Sequence, residues 1–129
     1  MKVTRVLHVS LNTSAPGALA ATQAFYRDLF GLPSAARPEI PGIDGHWFDI
    51  ATDTPNGAQL HLVGAPPEGG TGPDPTGPHY CLGVEDLDAA VAELDARDIA
   101  WRDAWQGPVR QVWIRDPSGA TVELQQDRR

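Results

Sequence analysis

The sequence has a single cysteine, Cys81, so no disulfide can cross-link the chain internally, and small disulfide-stapled folds are excluded. Cations are scarce, 10 Lys and Arg against 17 Asp and Glu, for a formal charge of −7. Nucleic acid needs a basic footprint against its phosphates, so no nucleic-acid partner is expected. No apolar run approaches the ~20 residues that span a bilayer, so no membrane partner is expected either. The opening "MKVTRVLHVS" lacks the apolar core and small-residue cleavage site of a secretory signal. With one free thiol, a reducing cytoplasm is the expected setting. What is present is ordinary for a globular chain: 129 residues, 41% hydrophobic and 21% charged, enough for one domain with a real core.

The 12 prolines and 13 glycines mark the connections and divide the chain. Residues 5–12 alternate like a strand, and 18–32 suit a helix with Leu19, Phe25, Leu29 and Phe30 on one face and Gly31 at its end. Short strands are expected at 46–51 and 58–64, around the turn "TDTPNG". "APPEGGTGPDPTGP", 65–78, holds neither a helix nor a central strand and reads as a linker. The plan then repeats: a strand at 79–84, a helix over 85–99 with Asp86 as N-cap and Leu87, Val91 and Leu94 on its apolar stripe, and strands at 111–116 and 120–126 around "DPSG". A weak strand is expected near "IAWRDAWQ". The expectation is therefore one α+β domain of two βαβββ modules, 1–64 and 79–129, with a linker at 65–78.

Successive side chains of a strand point to opposite faces. In the first strand Leu7, Val9 and Leu11 oppose Val6, His8, Ser10 and Asn12. Gln59 and His61 oppose Ala58, Leu60 and Leu62; His79, Cys81 and Gly83 oppose Tyr80, Leu82 and Val84; Thr121, Glu123 and Gln125 oppose Val122 and Leu124. A lone strand histidine is usually structural. Here, however, the strands opening and closing each half all place one metal-competent residue on the face away from the helices: His8, His61, His79 and Glu123. A curved sheet would gather them in a cup, as ligands for Zn, Ni, Co, Fe or Mn with a position left for substrate.

"VLHVSL", "AFYRDLFGLP", "AQLHLVG", "GPHYCLGVEDLDAAVAEL" and "IRDPSGATVELQQ" together resemble the vicinal oxygen chelate superfamily, the glyoxalase, bleomycin-resistance and extradiol-dioxygenase group. The resemblance implies paired βαβββ modules in a curved mixed sheet around a divalent metal ion. It also implies ligands at His8, His61, His79 and Glu123, catalytic roles for Glu123 and His61, a small-molecule substrate, and a homodimer. Glyoxalase I-like members carry a glutamate at the position of His61 and epimerase-like members a glutamine. Dioxygenases and fosfomycin-resistance transferases use two histidines and one glutamate, matching His8, His79 and Glu123, which leaves His61 as either ligand or substrate-facing neighbour. The chemistry implied is Lewis-acid stabilisation of an enolate-like anion by an isomerase or lyase, with oxygen-dependent ring cleavage second. The alternative is a bleomycin-resistance-type protein that sequesters a drug or metabolite without turnover.

Other residues have competing readings. By parity Trp47 and Trp113 either line the cup, stacking on a planar substrate, or plug its floor or a subunit contact. Gln59 and Arg115 are candidate pocket residues, and Arg110 and Arg115 either bind a substrate carboxylate or stand in solvent. Cys81 points into the cup as a small filler, and His46, after Gly45, reads as exposed.

Overall fold

The computed structural model describes residues 1–128; Arg129, the end of the expected second module, lies outside them. The alternating runs become β1 (Val3–Asn12), β2 (Gly45–Ile50), β3 (Ala58–Val63), β4 (His79–Val84), β5 (Arg102–Gln106), β6 (Val109–Arg115) and β7 (Thr121–Gln126). The two helical runs become α1 (Ala18–Asp28) and α2 (Leu87–Ala96). All seven strands form one curved, unclosed sheet in the order β2-β3-β1-β4-β7-β6-β5. The two halves meet edge to edge where β1 and β4 run antiparallel. Within each half the first and last strands run parallel, β1 with β3 and β4 with β7. The four strands with the candidate ligands are therefore consecutive neighbours at the centre.

Each helix covers one half from outside. Phe48, Leu60 and Leu62 pack with Leu11, Leu19, Tyr26 and Leu32; Val84, Val112, Val122 and Leu124 pack with Leu87, Ala90 and Leu94. Asp86 caps α2 as its sequence predicts, accepting the Ala89 N–H at 2.9 Å. No helix of the described residues is long and apolar enough to cross a membrane.

Three local expectations need correction. Helix α1 ends at Asp28, short of residue 32, and Phe25, Leu29 and Phe30 are 51%, 66% and 59% exposed. The chain turns at Gly31 (φ +64°), so Leu29 and Phe30 lie beyond the helix, and Leu19 and Tyr26 do the packing. Strict alternation also fails in β1. Val6 pairs with Leu82 and His8 with Cys81, so Leu7 is the extra residue of a bulge; it lines the cavity, while Val6 is 42% exposed. Finally, the expected extra strand of the first half is one bridge, Ser34 to Phe48, among the described residues.

Candidate metal centre

Register alone puts the inward side chains in two rows across the sheet. One runs Trp47, His61, Ser10, His79, Thr121, Arg115; the other runs Asp49, Gln59, His8, Cys81, Glu123, Trp113. Ser10 and Cys81, 2% and 0% exposed, are the small members at the centre. They leave room for the larger side chains around them to lean together.

His8 Nε2 stands 3.0 Å from Glu123 Oε2, His79 Nε2 stands 3.3 Å from the same oxygen, and the two nitrogens are 3.4 Å apart. His79 Nδ1 lies 2.8 Å from the Gly77 carbonyl, which can only accept, so Nδ1 donates and a neutral ring turns a lone pair inward at Nε2. Such a backbone anchor is how proteins orient metal-binding imidazoles. Ligands about 2.1 Å from one ion, at angles between square and tetrahedral, lie roughly 3.0–3.4 Å apart. The three edges match that spacing, so the donor set fits a divalent ion with positions left open. His8, His79 and Glu123 also form the one such group found among the described residues.

Electrostatics agree. Burial alone would raise the Glu123 carboxyl, but the imidazoles of His79 and His8 beside it and the Gln125 amide together pull it down to about 2. Burial, then Glu123, pushes the Cys81 thiol far up, so it stays protonated beside the carboxylate.

His61 stands outside this trio, its ring stacked between Trp47 (3.9 Å, 5°) and His8 (4.0 Å, 22°). Asp49 Oδ1 accepts from Gln59 Nε2 at 3.1 Å, which fixes the amide, and Gln59 Oε1 then accepts His61 Nε2–H at 2.9 Å. The lone pair of a neutral His61 is therefore on Nδ1. Burial first, then the His8 charge, lowers its pKa from 6.5 to about 2. Below pH 6.5 the unfolded chain takes up a proton there that the folded chain does not, so stability is full above 6.5 and falls with pH toward about 2. In chelator-treated protein, the urea midpoint should fall between about pH 7.5 and about pH 5, and His61→Gln should flatten that slope. An unchanged slope would contradict the neutral, buried ring.

A cavity of about 590 Å³ opens over the trio. Trp47, Gln59 and Trp113 line it, as does Trp105 from β5. Trp113 sets its ring edge-on to His79 at 4.8 Å. Arg115 is not brought there: its guanidinium bonds the Gly72 carbonyl, tying the 65–78 loop to β6. Arg110 pairs with Asp103 and Asp88, and His46 lies 2.8 Å from Ser34 Oγ; neither lines the cavity. Arg37, not singled out from the sequence, does line it. A loop arginine among prolines carries no periodic signal that could have found it.

Residues 5–124 match the family model described as the Glyoxalase/Bleomycin resistance protein/Dioxygenase superfamily. An uncharacterized Escherichia coli protein, YaeR, is 28% identical over 109 residues, covering 81% of this chain and 84% of its own. Methylmalonyl-CoA epimerase from Streptomyces coelicolor superposes with a TM-score of 0.69 at 19% identity, over 99% of this chain and 100% of that one. The 2,3-dioxygenase LapB from Pseudomonas sp. KL28 superposes at 0.72 with 20% identity, over 98% of this chain but 42% of its own.

Proposed function

We propose, since this chain belongs to the Glyoxalase/Bleomycin resistance protein/Dioxygenase superfamily, that it is a divalent-metal-dependent enzyme acting on a small substrate through two neighbouring oxygens. One observation carries the reading: His8 Nε2, His79 Nε2 and Glu123 Oε2 converge within a few ångströms beneath an open cavity. A bound ion supplies Lewis acidity toward the substrate oxygens.

The residues around it do the rest. Gly77 keeps the His79 lone pair inward, and Cys81 and Gln125 steady the Glu123 carboxylate. The Asp49–Gln59 pair holds the proton of His61 on Nε2, so Nδ1 is the atom able to accept a hydrogen bond. Trp47 fixes the plane of that ring. A carbonyl polarised by an ion at the trio would favour isomerase or lyase chemistry. His61, whose pKa burial holds at about 2, would accept a hydrogen bond from the substrate at Nδ1 rather than take up its proton. His61 acts here as a neighbour of the ligand set. Ring cleavage with oxygen is the second reading, favoured because two histidines and one carboxylate with open positions suit Fe(II). The homodimer implied by the resemblance belongs to the proposal too.

Cobalt-loaded protein titrated with acetohydroxamate, a bidentate oxygen ligand, should change its visible spectrum at one equivalent. A metal-free protein that takes up no cobalt, yet binds a ligand tightly, would instead support sequestration. Fe(II)-loaded protein consuming oxygen with a catechol would move the second reading to first.

A further inference from the structure

Residues 33–43 run along the outer edge of β2 without becoming a strand. Ala35 N–H donates to Trp47 O at 2.8 Å and Asp49 N–H to Pro33 O at 2.9 Å, and Pro33, Pro38 and Pro41 limit any longer ladder. The segment carries Arg37, Ile40 and Ile43 into the cavity wall. Gly45 makes room for the guanidinium: a Cβ there would stand 3.1 Å from both Nε and Nη2 of Arg37, and 2.4 Å from the Leu62 carbonyl. Arg37 Nη2 donates to the Ile43 carbonyl at 2.8 Å. The group is thus held by backbone on two sides, beside Trp47 and His61.

Among the described residues this arginine has no counter-ion. It makes no ion pair with any described residue, and its Nε–H is buried without a hydrogen-bond partner. Trp113 Nε1, on a side chain 2% exposed, is a second buried donor without a partner, on another residue lining the same cavity. A buried donor left unpaired costs about 1–3 kcal/mol, so both are short of an acceptor. The cavity wall offers no free carboxylate as that acceptor. Its one acidic residue is Glu123, already engaged by His8 and His79, and its other cation, Arg5, is paired with Asp127. A divalent ion at the trio would more than cancel Glu123, leaving a cationic cavity in a chain of net charge −7.

We propose that Arg37 binds a carboxylate of the substrate, so that the site takes small organic acids whose neighbouring oxygens face His8, His79 and Glu123. This rests on the metal-dependent reading above. The flat guanidinium fork matches the two oxygens of a carboxylate, which a point charge does not.

The test uses cobalt-loaded protein and two series of aliphatic hydroxamates, one ending in a carboxylate at increasing tail lengths and the other in the matching primary amide. Affinities are read from the visible spectrum. At one tail length the wild type should prefer the carboxylate by roughly 10- to 100-fold. Arg37→Gln should abolish the preference while leaving amide affinity unchanged, which also reports that the variant is folded. Arg37→Lys, keeping charge without the fork, should recover only part of it. If the wild type binds both series but shows no preference, or Arg37→Gln keeps it, the Arg37 assignment fails and the metal reading stands. If neither series binds, the metal reading fails and takes this inference with it.

Discussion

Glu123→Gln should abolish stoichiometric metal binding and leave the metal-free fold intact. The side chain is 1% exposed and its Oε2 meets both imidazole nitrogens, so it supplies the only negative charge of the trio. Losing a mere supporting hydrogen bond around a metal site costs about 10–100-fold in affinity. Losing a charged ligand should exceed that, giving a fall of at least ~100-fold by calorimetric titration. The amide is close in volume, so the metal-free variant should still fold. It forgoes the carboxylate that His8 and His79 hold well below its ordinary pKa, so its urea midpoint should lie below wild type at neutral pH. Saturation at 100 times the dissociation constant should stabilise the wild type by about 2.7 kcal/mol and the variant hardly at all. A variant that retains a full equivalent of metal at wild-type affinity would end the enzymatic account.

The second large effect falls on stability and spares the metal. Phe48 is fully buried on the outer face of β2, against Leu60, Leu62, Leu19, Tyr26 and Leu32. Phe48→Ala opens a cavity under α1, and such truncations cost about 3–5 kcal/mol. Against a total of roughly 5–15 kcal/mol, that removes much of what holds α1 and β2 in place. The trio rides on β1, β4 and β7, none of them β2, so the folded fraction should keep its metal affinity. Metal titration of the folded fraction should separate the two variants, Phe48→Ala keeping wild-type affinity and Glu123→Gln losing it. Loss of metal affinity in folded Phe48→Ala would show that ligand set and core are not separable.

The candidate ligands were legible because a strand side chain's face follows from its neighbours two residues away. His8 between Leu7 and Val9, His79 before Cys81, and Glu123 between Val122 and Leu124 each declare a polar inward position. The same rule misled where a backbone feature broke it. The bulge at Leu7 turns an apolar residue into the cavity, and the early end of α1 leaves Leu29 and Phe30 in the open. Parity also placed Arg115 correctly in its row, but a loop carbonyl claims it.

By itself, then, the sequence determined the elements, their inward faces and the family, because hydrophobic period and turn chemistry are local properties. The tertiary structure decided which donors meet. Only the pairing of β3, β1, β4 and β7 sets His8, His79 and Glu123 around small Ser10 and Cys81, and only contact with Gln59 and Trp47 turns the His61 ring aside. Arg37 reaches the cavity through a loop whose path is fixed by β2 and by the gap at Gly45. Distances between groups remote in sequence depend on sheet curvature and packing, which no short stretch of residues encodes.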